Sequence, residues 1–241
     1  MMEAFGDTFQ TPQKREQWAE KAPFLGKWLW VLFWLVIPQM LASLLTSDLF
    51  SPQSAFRYLG LLLQVVYLLA YSLVLLKLSV HIARYRTAGI CFLVGGIVNI
   101  LTSVLPAVTS GDGLPLLLGF ISLISGAFLM VGEYQEYMGH SELLWDVDVE
   151  LSDKWHKLWK WYIGCFLALL ASIVVILLSP ILGLLVTLAA AIGILVVLIV
   201  KLVYLYRTAM IFRCWPDGYG SLPKWDRSGD PWDKPDPSSP L

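Results

Sequence analysis

Six long runs of apolar residues alternate with shorter polar segments along the chain. The runs cover approximately residues 28–46, 58–79, 88–109, 114–132, 161–178 and 181–203. A helix needs about 20 mostly apolar residues to cross the hydrocarbon core of a bilayer, and each run is close to that length. The pattern therefore predicts an all-α integral membrane bundle of six transmembrane helices.

Turn-forming residues support the divisions between these runs. Residues 47–52 read Ser-Asp-Leu-Phe-Ser-Pro, and residues 110–113 read Ser-Gly-Asp-Gly. Ser179-Pro180 divides a long apolar stretch that, as one helix, would overshoot a bilayer core about 30 Å thick. Because proline and serine favour a break at that point, spans five and six are predicted to form a tight helical hairpin.

The composition agrees with a membrane protein and narrows its partners. Hydrophobic residues make up 57% of the chain and charged residues 15%, whereas soluble domains carry about 25% charged residues. The net charge of −1 offers no basic excess for binding nucleic acid. The expected partners are the lipid bilayer and either another membrane protein or a second copy of the chain.

The distribution of Lys and Arg predicts the orientation. With six spans, one side holds both termini, the loop 80–87 and the segment 133–160. That side, with the adjoining helix ends, carries sixteen of the seventeen Lys and Arg residues, and Arg57 is the exception. Since basic residues stay cytoplasmic, we expect a multi-pass protein of the cell membrane with both termini in the cytoplasm.

Five regions follow from this layout. They are a cytoplasmic N-terminal segment (1–26), a four-span half (27–132), an acidic cytoplasmic segment with an interfacial helix (133–160), a transmembrane hairpin (161–213) and a disordered cytoplasmic tail (214–241). In the first region, Thr11 is a predicted N-cap, followed by Pro12 at the first helical position.

An amphipathic turn is predicted just before span five. Ser152 is the predicted N-cap, and Trp155, Leu158 and Trp159 follow with the i, i+3, i+4 spacing of one helix face. Lysines occupy the other faces. This pattern is typical of a helix that lies at a membrane interface, with simple anchoring as the plainest interpretation.

Motifs that carry chemistry are mostly absent from the sequence. It contains no HExxH zinc-protease motif, no GxSxG nucleophile elbow and no Walker A loop. Cys91, Cys165 and Cys214 are widely separated and form no CxxC pair, so neither a disulfide framework nor a zinc site is indicated. We expect no cofactor.

One group of residues could bind a metal. Glu133, Glu136 and His140 lie at i, i+3 and i+7, on one face of a helix that continues from span four. Two carboxylates and an imidazole in that arrangement could hold a divalent ion at the inner membrane surface. The alternative is that the two carboxylates pair with Arg84 and Arg86.

Three amide side chains lie within the predicted spans, namely Gln39, Gln64 and Asn99. If their side chains converge on one cavity, they indicate a permeation pathway. If they do not, they are predicted to form hydrogen bonds between helices, which contribute about 0.6 kcal/mol each.

Two further expectations concern packing. Gly119, Ser122 and Gly126 lie at i, i+3 and i+7, and small residues on one face let helices approach closely. We therefore expect that face to be buried against another span. Lys77 and Lys201 lie near the inner ends of their spans, from which long side chains can extend to the surface.

The sequence favours a non-enzymatic polytopic membrane protein that acts as a scaffold, an accessory subunit or a regulator. Two alternatives stay open. One is a small permease or channel for a neutral solute, which requires Gln39, Gln64 and Asn99 to face one cavity. The other is a metal-dependent membrane enzyme that uses Glu133, Glu136 and His140.

Overall fold

The computed structural model describes residues 12–46, 55–104 and 114–215, and those residues form six α-helices and no strands. The helices are α1 (Pro12–Leu45), α2 (Ala55–Leu78), α3 (Ala83–Val104), α4 (Leu114–Leu144), α5 (Val149–Leu178) and α6 (Pro180–Arg213). Each is long and apolar enough to cross a membrane. The prediction of six apolar spans in an all-α protein is confirmed, and the orientation stays a prediction.

Four of the helices extend well beyond the apolar runs. The helices continue through segments that the hydropathy pattern marks as polar. These segments lie at the start of α1, the end of α4, the start of α5 and the end of α6. These extensions are helical because they bury apolar side chains: Ala22, Leu25, Leu143 and Leu144 are completely inaccessible to solvent. The polar segments are therefore part of the bundle rather than separate from it.

The predicted interfacial helix is continuous with span five, since α5 runs without a break from Val149 to Leu178. Its N-cap is Asp148, whose carboxylate accepts a hydrogen bond from the Leu151 N–H at 2.9 Å. The prediction that Ser152 caps the helix is wrong. Ser152 is buried and its hydroxyl donates to the Ser141 carbonyl, because α5 packs against the end of α4 at that point. Thr11 lies outside the described residues, as do residues 216–241.

The six helices form a ring. Each helix packs against the next one along the chain, and α1 packs against α6 to complete the circle. The closing contact is tight, since a Cβ added to Gly26 of α1 would lie 2.8 Å from the backbone nitrogen of Arg213. Only glycine allows the two backbones to approach this closely.

The two ends of the ring differ in how well they are filled. One end carries the turns at 79–82 and 145–148 and the first part of α1. We call it the closed end, because the largest fully buried side chains lie there: Trp155, Tyr85, Tyr137, Phe212, Leu25 and Leu144. The other end, where Ser179 joins α5 to α6, is called the open end. This difference determines where the candidate site lies.

Candidate functional site

Two carboxylates, one buried and one partly exposed, meet one lysine inside the ring. The Lys201 Nζ of α6 lies 2.9 Å from Glu133 Oε2 and 3.2 Å from Glu136 Oε1, both on α4. Because α5 separates α4 from α6 in the ring, these ion pairs cross the interior. The prediction that Lys201 extends to the surface is therefore wrong, whereas Lys77 is exposed.

A histidine and two tyrosines extend this group to two more helices. Tyr71 of α2 donates its hydroxyl to Glu136 Oε1 at 2.7 Å. The Tyr85 hydroxyl of α3 lies 2.8 Å from His140 Nδ1, and His140 Nε2 lies 3.6 Å from Glu136 Oε1. We call the set Glu133, Glu136, His140, Lys201, Tyr71 and Tyr85 the ionised cluster.

Aromatic rings seal the ionised cluster at the closed end. The indole of Trp155 on α5 stacks on the His140 imidazole, with centroids 4.5 Å apart, and meets the Tyr137 ring edge-on at 5.6 Å. Its Nε1 donates to Thr208 Oγ1 of α6 at 3.3 Å. The side chains of Glu136 and His140 are consequently 0% exposed.

Two polar atoms of the cluster have no hydrogen-bond partner. Glu136 Oε2 and His140 Nε2 are both buried and both unpartnered within the described part of the chain. Buried polar atoms in native proteins are nearly always hydrogen-bonded. An unpartnered pair beside buried charges therefore requires a chemical explanation.

The same geometry bears on the metal hypothesis. The Lys201 ammonium already supplies positive charge to both carboxylates, so a cation would have to displace it. Among residues 12–46, 55–104 and 114–215, no three His, Cys, Asp or Glu side chains converge closely enough to hold a metal ion. We therefore do not assign Glu133, Glu136 and His140 as metal ligands.

The arginines expected beside these carboxylates lie elsewhere. Arg84 Nε donates to Glu142 Oε2 at 2.8 Å and its Nη1 to Gln135 Oε1 at 3.3 Å. An Arg–Glu contact does join α3 to α4, but the predicted partners are wrong. The reason is that Glu133 and Glu136 point into the ring, whereas Glu142 lies on the surface beside Arg84.

Comparison with known proteins gives no match. No family model, no curated protein and no solved structure matches this chain. Its function is therefore inferred from the positions and the chemistry of its own residues.

Two of the three predicted amides lie on inward helix faces. Gln64 precedes the buried residues Leu68 and Tyr71 of α2 by four and seven positions, so all three share one face of the helix. Asn99 follows Phe92, another buried residue, by seven positions on α3. Both amides are half-buried and lie further towards the open end than the ionised cluster.

Gln39 lies on the corresponding face of α1. It follows the fully buried residues Leu25 and Leu32 by fourteen and seven positions, yet Gln39 itself is exposed. A helix face that is buried near the closed end thus becomes accessible towards the open end.

Gly119, Ser122 and Gly126 of α4, which we call the small-residue stripe, also lie on a face that becomes accessible towards the open end. Gly119, Gly126, Glu133 and His140 are spaced by seven, so they lie on one face. That face is buried at the ionised cluster, but a Cβ added to Gly119 or Gly126 would meet no atom within 4 Å, and Ser122 is exposed. The prediction that the stripe packs against another span is therefore wrong.

The close helix contact that was expected of the stripe is made instead by a neighbouring face of α4, which packs against α3. Ser125 is only 2% exposed, and its hydroxyl donates to the Gly95 carbonyl of α3 at 2.6 Å. Gly119 and Gly126 are thus left without a helix packed on them. Helix periodicity places Gln39, Gln64, Asn99, Gly119, Ser122 and Gly126, all towards the open end, on the faces that carry buried residues nearer the closed end, and we call these six positions the vestibule.

A matched pair of substitutions on α4 tests this assignment. Ser125→Leu should lower the free energy of unfolding by about 1–3 kcal/mol, because it overpacks the contact with α3. Ser122→Leu should change it by less than about 0.5 kcal/mol, because the new side chain enters open space. Thermal unfolding in detergent measures both, and an equal loss in the two variants would contradict the vestibule.

Proposed function

We propose that this polytopic membrane protein is a small permease for neutral polar solutes, with the vestibule as its solute-accessible side. The observation that carries the proposal is the placement of Gln64 and Asn99, both half-buried, on the faces of α2 and α3 that carry the buried residues Tyr71 and Phe92.

The chemistry of the vestibule supports a neutral solute. Its side chains supply amide donors and acceptors and a serine hydroxyl, and none carries a formal charge. On α4, a Cβ at Gly119 or Gly126 would meet no atom within 4 Å. A solute with several hydroxyl or amide groups could exchange its water hydrogen bonds for these.

The closed end favours a carrier over an open channel. Glu136, His140, Tyr85 and Tyr137 are all fully buried, so the vestibule ends at a sealed layer. Carriers expose a site to one side at a time by rocking one part of the bundle against another. A carrier that is open at one end would have this arrangement.

Flux through proteoliposomes tests the proposal. We expect purified protein to raise the rate of light-scattering change above that of protein-free liposomes for at least one of glycerol, erythritol and urea. Gln64→Leu and Asn99→Leu should each lower that flux roughly fivefold to tenfold, the effect of losing a hydrogen bond of about 1–1.5 kcal/mol in the transition state. Ser122→Leu should lower it by filling the vestibule.

A control on the same helix separates this effect from general damage. Leu62 is 61% exposed and lies two positions from Gln64, on the opposite face of α2. Leu62→Ala should leave the flux unchanged. Flux that is absent for all three solutes, or equal in Gln64→Leu and the wild type, would contradict the permease.

A scaffold or accessory protein is the second candidate, and one observation favours it. Trp145 lies in the turn between α4 and α5 and is 60% exposed. An exposed indole at the end of a rigid bundle suits a protein partner, because aromatic residues are enriched at protein interfaces. Folded protein without flux would favour this second function.

A further inference from the structure

The ionised cluster carries an uneven set of charges. Lys201 contributes one positive charge, while Glu133 and Glu136 contribute two negative charges, so the cluster has a net charge of −1 when His140 is neutral. An unbalanced charge in a buried site is costly unless it is compensated. One added proton would bring the cluster to neutrality.

The two unpartnered atoms mark where that proton can bind. His140 Nε2 faces Glu136 Oε1 at 3.6 Å, too far for a hydrogen bond, and Nε2 has no other partner in the described residues. When Tyr85 accepts a hydrogen bond from Nδ1–H, Nε2 holds a free lone pair directed at a carboxylate. A proton on Nε2 would convert this approach into a charge-assisted hydrogen bond.

We propose that the ionised cluster is a binding site for one exchangeable proton, held between His140 and Glu136. A solvent proton adds to the lone pair of the imidazole Nε2, an O–H bond of its hydronium donor breaks to leave water, and the charge of the cluster changes from −1 to 0. The inference goes beyond solute transport, since it follows from the cluster alone.

The cluster is most accessible at Lys201 and Glu133. Glu136 and His140 are 0% exposed, whereas the side chains of Lys201 and Glu133, one helical turn nearer the open end, are 13% and 25% exposed. Tyr85 and Trp155 close the opposite side. Water can therefore exchange protons with the cluster through Glu133.

Titratable groups from five helices lie in or beside the ionised cluster. They are Tyr71 of α2, Tyr85 of α3, Glu133, Glu136 and Tyr137 of α4, Tyr162 of α5 and Lys201 of α6. The tyrosines and the lysine keep their protons near neutral pH. Proton exchange near neutral pH is accordingly confined to His140 and the two glutamates.

The small number of histidines makes a direct test practical. The chain has three, so the full-length double variant His81→Gln/His156→Gln leaves His140 as the single imidazole for isotope labelling. We expect its NMR resonances to move in one reversible step between pH 5 and pH 9. Glu136→Gln should shift the midpoint by roughly one pH unit or more, the usual effect of a charge within about 4–6 Å.

Two further variants keep the test decisive. Glu142→Gln removes an exposed carboxylate on the same helix and should move the midpoint by less than about 0.3 pH units, as expected for a screened surface charge. If Glu136→Gln does not fold, Tyr85→Phe removes the contact at Nδ1 and should also move the midpoint. An imidazole that keeps one ionisation state from pH 5 to pH 9, or a midpoint equal in all foldable variants, would overturn the proposal.

Discussion

Replacing Lys201 with methionine is expected to lower the free energy of unfolding by about 3–5 kcal/mol, the usual cost of removing one partner of a buried ion pair. The ammonium lies within hydrogen-bonding distance of both Glu133 and Glu136. Methionine has a similar length but no charge, so two carboxylates would be left facing each other inside the bundle. Unfolding by sodium dodecyl sulfate in detergent micelles measures the loss.

Two comparisons distinguish charge from packing. The triple variant Lys201→Met/Glu133→Gln/Glu136→Gln should recover most of the lost stability, because replacing a whole buried ion pair with neutral groups is far less costly than breaking it. Lys77→Met, at an exposed lysine of α2, should change stability by less than about 0.5 kcal/mol. A Lys201→Met protein as stable as the wild type would show that the carboxylates do not need this partner.

The six helices could be predicted from hydropathy alone, but their lengths could not. Hydropathy detects apolar runs long enough to cross a membrane. It does not predict a helix that continues beyond such a run because it is packed against neighbouring helices. In α4, Glu133 to Leu144 contains acidic and polar residues, yet Leu143 and Leu144 are fully buried. The helix persists because of tertiary contacts, which a window of local hydrophobicity does not register.

The pairing of Lys201 with Glu133 and Glu136 could not be predicted from the sequence, for a related reason. Lys201 lies 68 residues from Glu133 in the sequence, and α6 is apolar on all sides, so no pattern marks which face is turned inward. The side chain of a lysine in such a helix either extends to the surface or is buried beside a carboxylate. Only the order of helices around the ring decides between them.

The vestibule shows the limit of a packing rule. Small residues at i, i+3 and i+7 permit a close helix contact, but the same residues also leave space when no helix comes near. Gly119 and Gly126 leave space, while Ser125, one position before Gly126, makes the contact with α3. Gln64 and Asn99, by contrast, share their helix faces with the buried residues Tyr71 and Phe92. Each pair is seven residues apart, so the shared face could be predicted from the sequence.

Replacing Trp155 with alanine is the other change with a large expected effect. The indole is fully buried, stacks on His140, meets Tyr137 and Tyr204 edge-on and donates a hydrogen bond to Thr208. Its removal leaves a cavity between α4, α5 and α6, lined by the side chains of His140, Tyr137, Tyr204 and Thr208. We expect a loss of about 3–5 kcal/mol, as for other buried Trp-to-Ala changes.

Two tryptophan variants of the same helix show whether this loss comes from burial. Trp161, six positions further along α5, is 70% exposed, so Trp161→Ala should cost less than about 0.5 kcal/mol. Trp155→Phe keeps a ring against His140 but loses the bond to Thr208, and should cost about 1–2 kcal/mol. Because Trp155 also closes the ionised cluster, Trp155→Ala should admit water to His140, so that its labelled imidazole exchanges protons with solvent faster than in the wild type. Equal losses for Trp155→Ala and Trp161→Ala would mean that the closed end is not the packed core that anchors the ring.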